Sequence, residues 1–427
     1  MRLTPRPEPG GTGPRRPAYR PPGRRPARRG ASEEAPPRPG RGSLTPAGGI
    51  PAVTVVGYGR AGPSSGAGPE TLPAGLTAGS EGRTVLVARM DSIGDVLLAG
   101  PAVRAVARTA RRVVLLAGPR GAAAARMLPG VDRVIEWCAP WVDPEPPAVN
   151  RADTDALCAA VRAERPDAAL VLTSFHQSPL PLALLLRLAG VPWIGAVSVD
   201  YPGSLLDLRH RVPDGIPESE RMLSLAGAAG YRLAPGDPGR LAVRGPLPDT
   251  TALTGPDGYV AMHVGASAPA RALPVDLAAA AAARLCAEGI PVVVTAAAVD
   301  KAEAAAVAGA AGTDLAGRTD LAELAGVLSR ASVLVAGNTG PAHLAAAVGT
   351  PVVSLFSPVV PASAWAPYGV RLRLLGDQGE RCAGTRARIC PVPGHPCLNS
   401  VSADEVVRAV YELAAPPGGG RGGAEDA

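Results

Sequence analysis

The chain has 427 residues, of which 46% are hydrophobic and 19% charged, a composition that suits a globular protein with a large core. Its net charge is +6, but residues 1–42 contain 11 arginines and three glutamates, so residues 43–427 carry a net charge of −2. A nucleic-acid-binding core would need its own basic face, so this distribution argues against a nucleic-acid partner. The longest apolar run, residues 178–191, is shorter than the roughly 20 residues of a membrane-spanning helix, and Arg187 interrupts it.

The two ends of the chain differ in composition from the middle. Residues 1–80 are rich in Pro, Arg, Gly and Ser, and residues 416–427 are rich in Gly. Such segments bury too little apolar area to offset the entropy of ordering them, so both are predicted to be disordered tails. No apolar stretch of roughly 7–15 residues follows the basic N-terminus, which argues against a secretory signal. With six cysteines that fit a reducing compartment, we expect a cytoplasmic protein.

Apolar strands and helices alternate between the tails. Strands are predicted in "TVLVAR", "RRVVLLAG", "DRVIEW", "DAALVLTS" and "PWIGAVS", and a Pro/Gly-rich stretch at residues 233–257 interrupts the pattern before it restarts at "YVAMHVG". Strands that are apolar throughout indicate parallel sheets covered on both faces. We therefore predict two α/β domains, residues 82–232 and 258–415, joined by the linker 233–257. The expected ligand position is the cleft between them, at the carboxyl ends of the strands.

A glycine-rich run near the N-terminus imitates a cofactor motif. Gly57, Gly59 and Gly62 have the spacing of a dinucleotide-binding fingerprint and follow a strand-like run. That fingerprint requires a helix next, because the pyrophosphate binds at the helix N-terminus. The sequence "PSSGAGPETLPAG" cannot form it. Low-complexity glycine is therefore the favoured interpretation, and an NAD-linked oxidoreductase stays as an alternative.

The first strand exit, "VLVARMDSIGDVLLAGPAVRAV", concentrates charge. Arg89, Asp91 and Asp95 follow the strand, and Gly94 would allow a tight turn. Asp95 has two interpretations that the local sequence does not separate. It can cap the helix, or it can accept a proton from a substrate hydroxyl at the mouth of the cleft.

The second half contains a matching strand exit, "AGNTGPAHLAAAVGTPVVSLFSP". Its glycines expose backbone N–H groups at a helix N-terminus, an arrangement that favours a phosphate or diphosphate. Thr339 can add a hydroxyl donor, and His343 lies one turn into the helix, where it can face the same site. A third exit, "HVGASAPARALP", supplies Ser267 and Arg271, and arginine presents a fork of donors that suits phosphate.

These three motifs, in this order and separation, resemble glycosyltransferase family 9, the ADP-heptose:lipopolysaccharide heptosyltransferase family. The resemblance covers roughly residues 85–413. It implies the GT-B fold, in which two Rossmann-like domains with parallel sheets face a central cleft. It also implies that the N-terminal domain binds the acceptor and the C-terminal domain the nucleotide sugar, with inverting transfer that needs no metal or other cofactor.

The resemblance further implies residue roles. Asp95 matches the proposed catalytic base, which deprotonates the acceptor hydroxyl. Arg271 matches a basic residue, often Lys, that holds the donor diphosphate. Thr339, Gly340 and His343 match the donor-phosphate loop.

Other positions match less well or depart from the family. Asp300, just after "PVVVTAAA", matches the acidic residue that binds the nucleotide ribose. Asn338 stands where the family usually has Asp, and Leu273 stands where it usually has Trp. These two departures bear on which sugar the donor carries more than on the type of reaction. We group Ser267 and Asn338 with the donor-binding residues, and the acceptor-side residues are Arg89, Asp91 and Gly94.

The C-terminal sequence "CAGTRARICPVPGHPC" brings three cysteines and a histidine together. Cys382, Cys390, Cys397 and His395 could bind zinc, but their spacing matches no common zinc motif, so buried or incidental thiols are favoured and no metal site is predicted.

Together these features predict a glycosyltransferase that moves a heptose-like sugar from a nucleoside-diphosphate sugar, by the family name ADP-heptose, to a glycan or glycolipid acceptor, as in lipopolysaccharide core biosynthesis. Contact with a membrane surface would follow from a lipid-linked acceptor. A non-catalytic nucleotide-binding protein and a sugar-nucleotide epimerase of similar build remain as alternatives.

Overall fold

The computed structural model describes residues 82–414 in full and the backbone of residues 54–57. The predicted tails, apart from residues 54–57, lie outside the described residues, as do Gly59 and Gly62 of the glycine-rich run. Residues 54–57 form a short edge strand within the stretch that was assigned to the N-terminal tail.

A seven-stranded sheet occupies the first half. Its strands are β1 (Thr54–Gly57), β2 (Thr84–Arg89), β3 (Arg112–Ala117), β4 (Arg133–Glu136), β5 (Ala168–Val171), β6 (Ile194–Val197) and β7 (Leu208–His210). The order is β1-β4-β3-β2-β5-β6-β7, and every pair is parallel except β1 with β4. Its helices are α1 (Ile93–Leu98), α2 (Gly100–Ala107), α3 (Ala122–Met127), α4 (Arg151–Glu164), α5 (Leu180–Leu188) and α6 (Glu218–Ala228).

The sequence "DVLLAGPAVRAVARTA" after the first strand is predicted to form one helix, but it contributes to two helices, α1 and α2, which meet at Ala99. Pro101 lies in the first turn of α2. A proline has no backbone N–H and is tolerated in a first helical turn but not in a helix interior, so it ends one helix and begins the next.

A six-stranded, fully parallel sheet occupies the second half. Its strands are β8 (Val260–His263), β9 (Val292–Thr295), β10 (Thr313–Asp314), β11 (Val333–Gly337), β12 (Val352–Leu355) and β13 (Leu372–Leu375), in the order β10-β9-β8-β11-β12-β13. Its helices are α7 (Thr251–Thr254), α8 (Val275–Ala287), α9 (Lys301–Ala308), α10 (Leu321–Arg330), α11 (Gly340–Val348), α12 (Ala362–Trp365), α13 (Pro396–Asn399) and α14 (Ala403–Ala414).

With β1 set aside, the two sheets have the same strand order. In each, the first strand of the half lies beside the fourth: β2 beside β5, and β8 beside β11. The chain reverses its direction of winding there, and the loops after the two strands diverge to leave a crevice. The three sequence motifs follow β2, β8 and β11, so they lie at these two switch points.

The central strands are buried on both faces, which confirms the prediction of covered parallel sheets. Along β2, Val85 and Val87 pack in one apolar cluster, whereas Leu86 and Ala88 pack in another. The first cluster also contains residues of α1 and α11, so apolar contacts join the two halves of the chain. Within residues 82–414, no helix is long and apolar enough to cross a membrane.

Candidate functional site

Asp95 lies in the first turn of α1 and has two structural partners. Ser92 is the N-cap of this helix and forms a capping box with Asp95, in which the backbone N–H of each residue donates to the side chain of the other. In addition, the Ser92 hydroxyl donates to Asp95 Oδ2 over 2.7 Å. The other carboxylate oxygen, Oδ1, accepts from Arg89 Nη2 over 2.9 Å. The Asp95 side chain is still 20% exposed. Asp95 therefore caps the helix, as one of the two interpretations predicts, and its carboxylate remains accessible, so the role of base stays a prediction.

Arg89 organises the charges at the end of β2. Its side chain is fully buried and pairs with Asp91 at 3.0 Å, with Asp95 at 2.9 Å and with Glu218 of α6 at 3.6 Å. It also donates to the Ser174 hydroxyl, in the loop after β5, over 2.8 Å. The guanidinium thus links the two loops of the first switch point to α6. Removing it would deprive the three carboxylates of their common cation, although Glu218 would keep Arg221 at 3.8 Å.

This network controls the protonation of the carboxylates. Burial favours the neutral form of Asp95, but the charge of Arg89 and the hydrogen bond from Ser92 outweigh it, so the pKa of Asp95 lies below its ordinary value. Burial raises the pKa of Asp91, although Arg89 opposes the shift. Burial likewise raises the pKa of Glu218. Asp95 is therefore the carboxylate of this group most firmly held in its ionised form.

The second switch point presents polar atoms without protein partners. Asn338 donates weakly from Nδ2 to the Ser357 carbonyl at 3.5 Å, and its Oδ1 is buried with no partner among the described residues. The same holds for the hydroxyl of Thr339, the N-cap of α11, and for Nδ1 of His343. Burial lowers the pKa of His343 to about 4, against the opposing charge of Asp95, so the imidazole is neutral at pH 7. These atoms suit a ligand that is bound at the start of α11.

Helices α1 and α11 bring the two halves of the site into contact. A methyl group on Gly94 would lie 2.7 Å from His343 Cδ2, and one on Gly340 would lie 3.3 Å from Ile93 Cβ. The expectation that Gly94 serves a tight turn is therefore wrong. Gly94 lies inside α1, and its missing side chain allows the His343 ring to approach the helix.

Arg271 enters the site from the loop after β8. It ends a short 3-10 helix at residues 269–271, and its carbonyl oxygen packs so closely on Gly337 that a methyl group there would lie 2.1 Å away. The guanidinium has no hydrogen bond or ion pair to any residue of 82–414. Burial lowers the pKa of Arg271, while the charge of Asp95 raises it. Arg271 is thus a half-buried cation that faces Asp95 without a partner.

Asp300 and Ser267 lie beside this loop. The Asp300 carboxylate packs on Gly265, where a methyl group would lie 2.2 Å from Oδ2, and Gly265 has a φ of +86° that favours glycine. Burial raises the pKa of Asp300. Ser267 is exposed, and its carbonyl accepts from Arg388 over 2.9 Å. Asp300 lies at the carboxyl ends of β8 and β9, on the opposite side of the loop from β11.

The sequence analysis missed several residues of this site. Glu218 and Ser174 hold Arg89, and Gln177 donates to Asp91. Arg386 reaches the same region from the cysteine-containing segment, where it bonds to His176 of the loop after β5. Burial lowers the pKa of Arg386, and the charges of Asp95 and Asp91 oppose this shift. None of these residues has a local signal, apart from an acidic Glu218 in the first turn of α6.

The cysteines and the histidine of the cysteine-containing segment, residues 382–397, do not gather into a set of metal ligands in the described structure. Within residues 82–414, no group of three or more His, Cys, Asp or Glu side chains is arranged to hold a metal ion. Cys382 and Cys397 are buried, and all three thiols of the segment are free. Burial raises the pKa of Cys397 to about 11, so it is a neutral thiol.

Comparison with known proteins matches residues 156–395 to the model of glycosyltransferase family 9 (heptosyltransferase). The chain belongs to glycosyltransferase family 9. The matched residues include the loops of Arg271 and His343 but not Asp95. Comparison with curated proteins finds no match.

Solved structures of family 9 proteins share the GT-B fold of this chain. The E. coli ADP-heptose lps heptosyltransferase II is 21% identical, with a TM-score of 0.59 over 78% of this chain and 98% of its own. E. coli heptosyltransferase WaaC with ADP is 18% identical, with a TM-score of 0.58 over 77% and 99%. The glycosyl transferase family 9 structure from Veillonella parvula is 15% identical, with a TM-score of 0.62 over 79% and 98%. The prediction of two parallel-sheet halves with this fold is confirmed.

Proposed function

We propose that this family 9 protein is an inverting glycosyltransferase that moves a heptose-like sugar from ADP-heptose, or a related nucleoside-diphosphate sugar, to a hydroxyl of a glycan or glycolipid. The observation that carries this proposal is the contact between the helix of Asp95 and the helix of His343. It brings a partly exposed carboxylate from the first half next to an anion-binding helix start from the second half.

Asp95 acts as the base in this scheme. As the acceptor oxygen forms its bond to the anomeric carbon, the hydroxyl proton passes to the carboxylate and the bond to the diphosphate oxygen breaks on the opposite face. The lowered pKa keeps Asp95 ionised at neutral pH but makes it a weak base. Much of the rate enhancement must then come from holding the hydroxyl against Asp95, which Arg89 and Ser92 orient from two sides.

The leaving nucleoside diphosphate is stabilised from the second half. The first N–H groups of α11 lack helical partners and carry a partial positive charge. Thr339 and the neutral His343 can add hydrogen-bond donors, and Arg271 adds a full charge. Because the leaving group gains negative charge in the transition state, donors placed in advance at this position lower the barrier. The scheme itself uses no metal, and activity should persist in the presence of a chelator.

Asp300, Ser267 and Asn338 complete the donor side of the proposal. Asp300 lies at the carboxyl ends of β8 and β9, where it can accept from ribose hydroxyls, and the Asn338 amide can hydrogen-bond the sugar. Residues 82–232 would then bind the acceptor and residues 258–415 the donor. A cytoplasmic location, and membrane contact through a lipid-linked acceptor, belong to the same proposal.

The test compares Asp95→Asn with Ser92→Ala. Release of ADP from ADP-heptose in the presence of a lipopolysaccharide core acceptor should fall at least about 10²-fold in Asp95→Asn, while its affinity for ADP is retained. Ser92→Ala is the comparison variant, because it removes the cap of the same helix, at a cost of about 1 kcal/mol in stability, but keeps the carboxylate and its bond to Arg89. It loosens Asp95 without removing the base, so its rate should fall far less than that of Asp95→Asn. An Asp95→Asn variant that turns over like the wild type would exclude Asp95 as the base. ADP binding without transfer by the wild type would favour the non-catalytic alternative.

A further inference from the structure

Arg386 is held by an unusual loop of the second half. Its backbone is in the left-handed region, with a φ of 60°, and its N–H donates to the Val359 carbonyl over 2.7 Å. Two residues earlier, the N–H of Gly384 donates to the Pro358 carbonyl over 2.8 Å. These bonds tie residues 384–386 to the chain that follows β12. A non-glycine residue seldom adopts this conformation, and here the two hydrogen bonds hold the Arg386 backbone in it.

The side chain crosses from the second half of the chain to the first. Its Nη2 donates to His176 Nε2 over 2.8 Å, and its guanidinium carbon lies 5.5 Å from the centre of the Phe175 ring. Phe175 in turn packs on Trp365 of α12, with 5.2 Å between ring centres. Burial and the charge of Arg386 lower the pKa of His176 to about 4. His176 is therefore neutral at pH 7, and it can accept the bond but cannot balance the charge.

Arg386 and Arg271 form a pair of cations without a paired anion. Within residues 82–414, no carboxylate lies within ion-pair distance of either guanidinium. They are close enough that Arg386 lowers the pKa of Arg271. Asp95 favours the charged form of both. Arg386 also bonds to His176, in the loop after β5, so its guanidinium lies towards the first switch point.

We propose that Arg386 is a second arginine for the donor diphosphate and that it binds the β-phosphate, whose oxygen leaves the sugar. The assignment rests on the proposed function. Two guanidiniums beside a helix N-terminus match the two negative charges of a bound diphosphate ester, and the phosphate nearer the sugar must lie nearer Asp95. When the bond to the sugar breaks, the third charge develops on that phosphate, where Arg386 can offset it. His176 accepts from the guanidinium while the phosphate is absent.

The test measures binding of ADP and AMP by calorimetry, with no sugar and no acceptor. Arg386→Ala should weaken ADP binding about 10- to 100-fold, as expected for the loss of a charged hydrogen bond, and should weaken AMP binding much less. Arg386→Lys should recover part of the loss, because it keeps the charge but not the fork of donors. Arg381→Ala is the control, since it removes an exposed arginine of the same segment that makes no described contact with the site.

The outcomes separate this assignment from the proposed function. Wild-type affinity for ADP in Arg386→Ala, together with weaker ADP binding in Arg271→Ala, would overturn the assignment and leave the proposed function standing. An equal loss for ADP and AMP would also overturn it, because the β-phosphate would not be the contact. If the wild type binds none of ADP, GDP and UDP, the proposed function fails first.

Discussion

Replacing Gly94 with alanine tests the contact that joins the two halves of the site. The added methyl group would lie 2.7 Å from His343 Cδ2 and 3.4 Å from Gly340 Cα. Carbon atoms pack favourably at about 3.5–4.0 Å, so α11 or the His343 ring has to move by roughly 1 Å. This shift disturbs the core, because Gly94 and His343 are both buried in helices and no exposed side chain can move away instead.

Two opposing terms set the size of the effect. Forcing an extra carbon into a packed core costs about 1–3 kcal/mol, whereas glycine to alanine inside a helix gains about 0.5–1 kcal/mol. We therefore expect Gly94→Ala to lower the free energy of unfolding by about 1–2 kcal/mol. A displacement of roughly 1 Å at a catalytic centre costs about 10²-fold in rate. The transfer rate should therefore fall by more than the added fraction of unfolded protein would explain.

Urea unfolding and the ADP-release assay together check this prediction, with Gly100→Ala as the control. Gly100 is also a buried helical glycine, but its methyl group would meet Leu128 Cδ2 at 3.4 Å, an ordinary contact. Gly100→Ala should be as stable as the wild type, or slightly more so, and fully active. A Gly94→Ala protein with wild-type stability and rate would show that the approach of α1 to α11 is not as close as described.

Two further changes probe the charges of the site. Arg89→Met should lower the free energy of unfolding, measured in urea, by about 3–5 kcal/mol, because it leaves Asp91, Asp95 and Glu218 without their common cation. The control is Arg104→Met, which breaks a more exposed ion pair with Asp237. A smaller loss of stability in Arg89→Met than in Arg104→Met would contradict the prediction. His343 has a folded-state pKa of about 4 and an unfolded value near 6.5, so the unfolded state binds more protons as the pH falls from about 6.5 to 4. The wild type should lose about 3 kcal/mol over this range from His343 alone, and His343→Asn should lose correspondingly less; parallel stability curves for the two would refute the shift.

The strands and the motif residues could be predicted because their signals are local. β2, β5, β8 and β11 are continuous apolar runs, and such runs followed by glycine and polar residues indicate strand exits regardless of the rest of the chain. Asp95 was visible as a helix cap, and the expected N-terminus of α11 agrees with the structure. The strands of residues 82–414 that were missed, β7, β10 and β13, are short edge strands. They are only partly buried and lack a continuous apolar pattern.

The remaining site residues depend on contacts between distant parts of the chain. Glu218 meets Arg89 only because α6 returns to the first sheet, and Arg386 meets His176 across a sequence separation of 210. The local sequence of Arg386, "CAGTRARIC", does not distinguish it from an ordinary exposed arginine, because its contacts depend on where its loop lies in the fold. The role of Gly94 could not be predicted for the same reason, because the His343 ring that it contacts is 249 positions away in the sequence.

The electrostatics of the site suggest why the proposed base and the proposed donor site come from opposite halves. Without a ligand, Arg89 holds Asp95 ionised, and Arg271 and Arg386 add to the positive charge that it faces. Each of these cations makes the carboxylate a weaker base. In the proposed scheme, a bound diphosphate would neutralise Arg271 and Arg386, and its own charge would raise the pKa of Asp95. The base would then be strongest when the donor is in place, so the chain would couple proton removal from the acceptor to the presence of a sugar that can receive it.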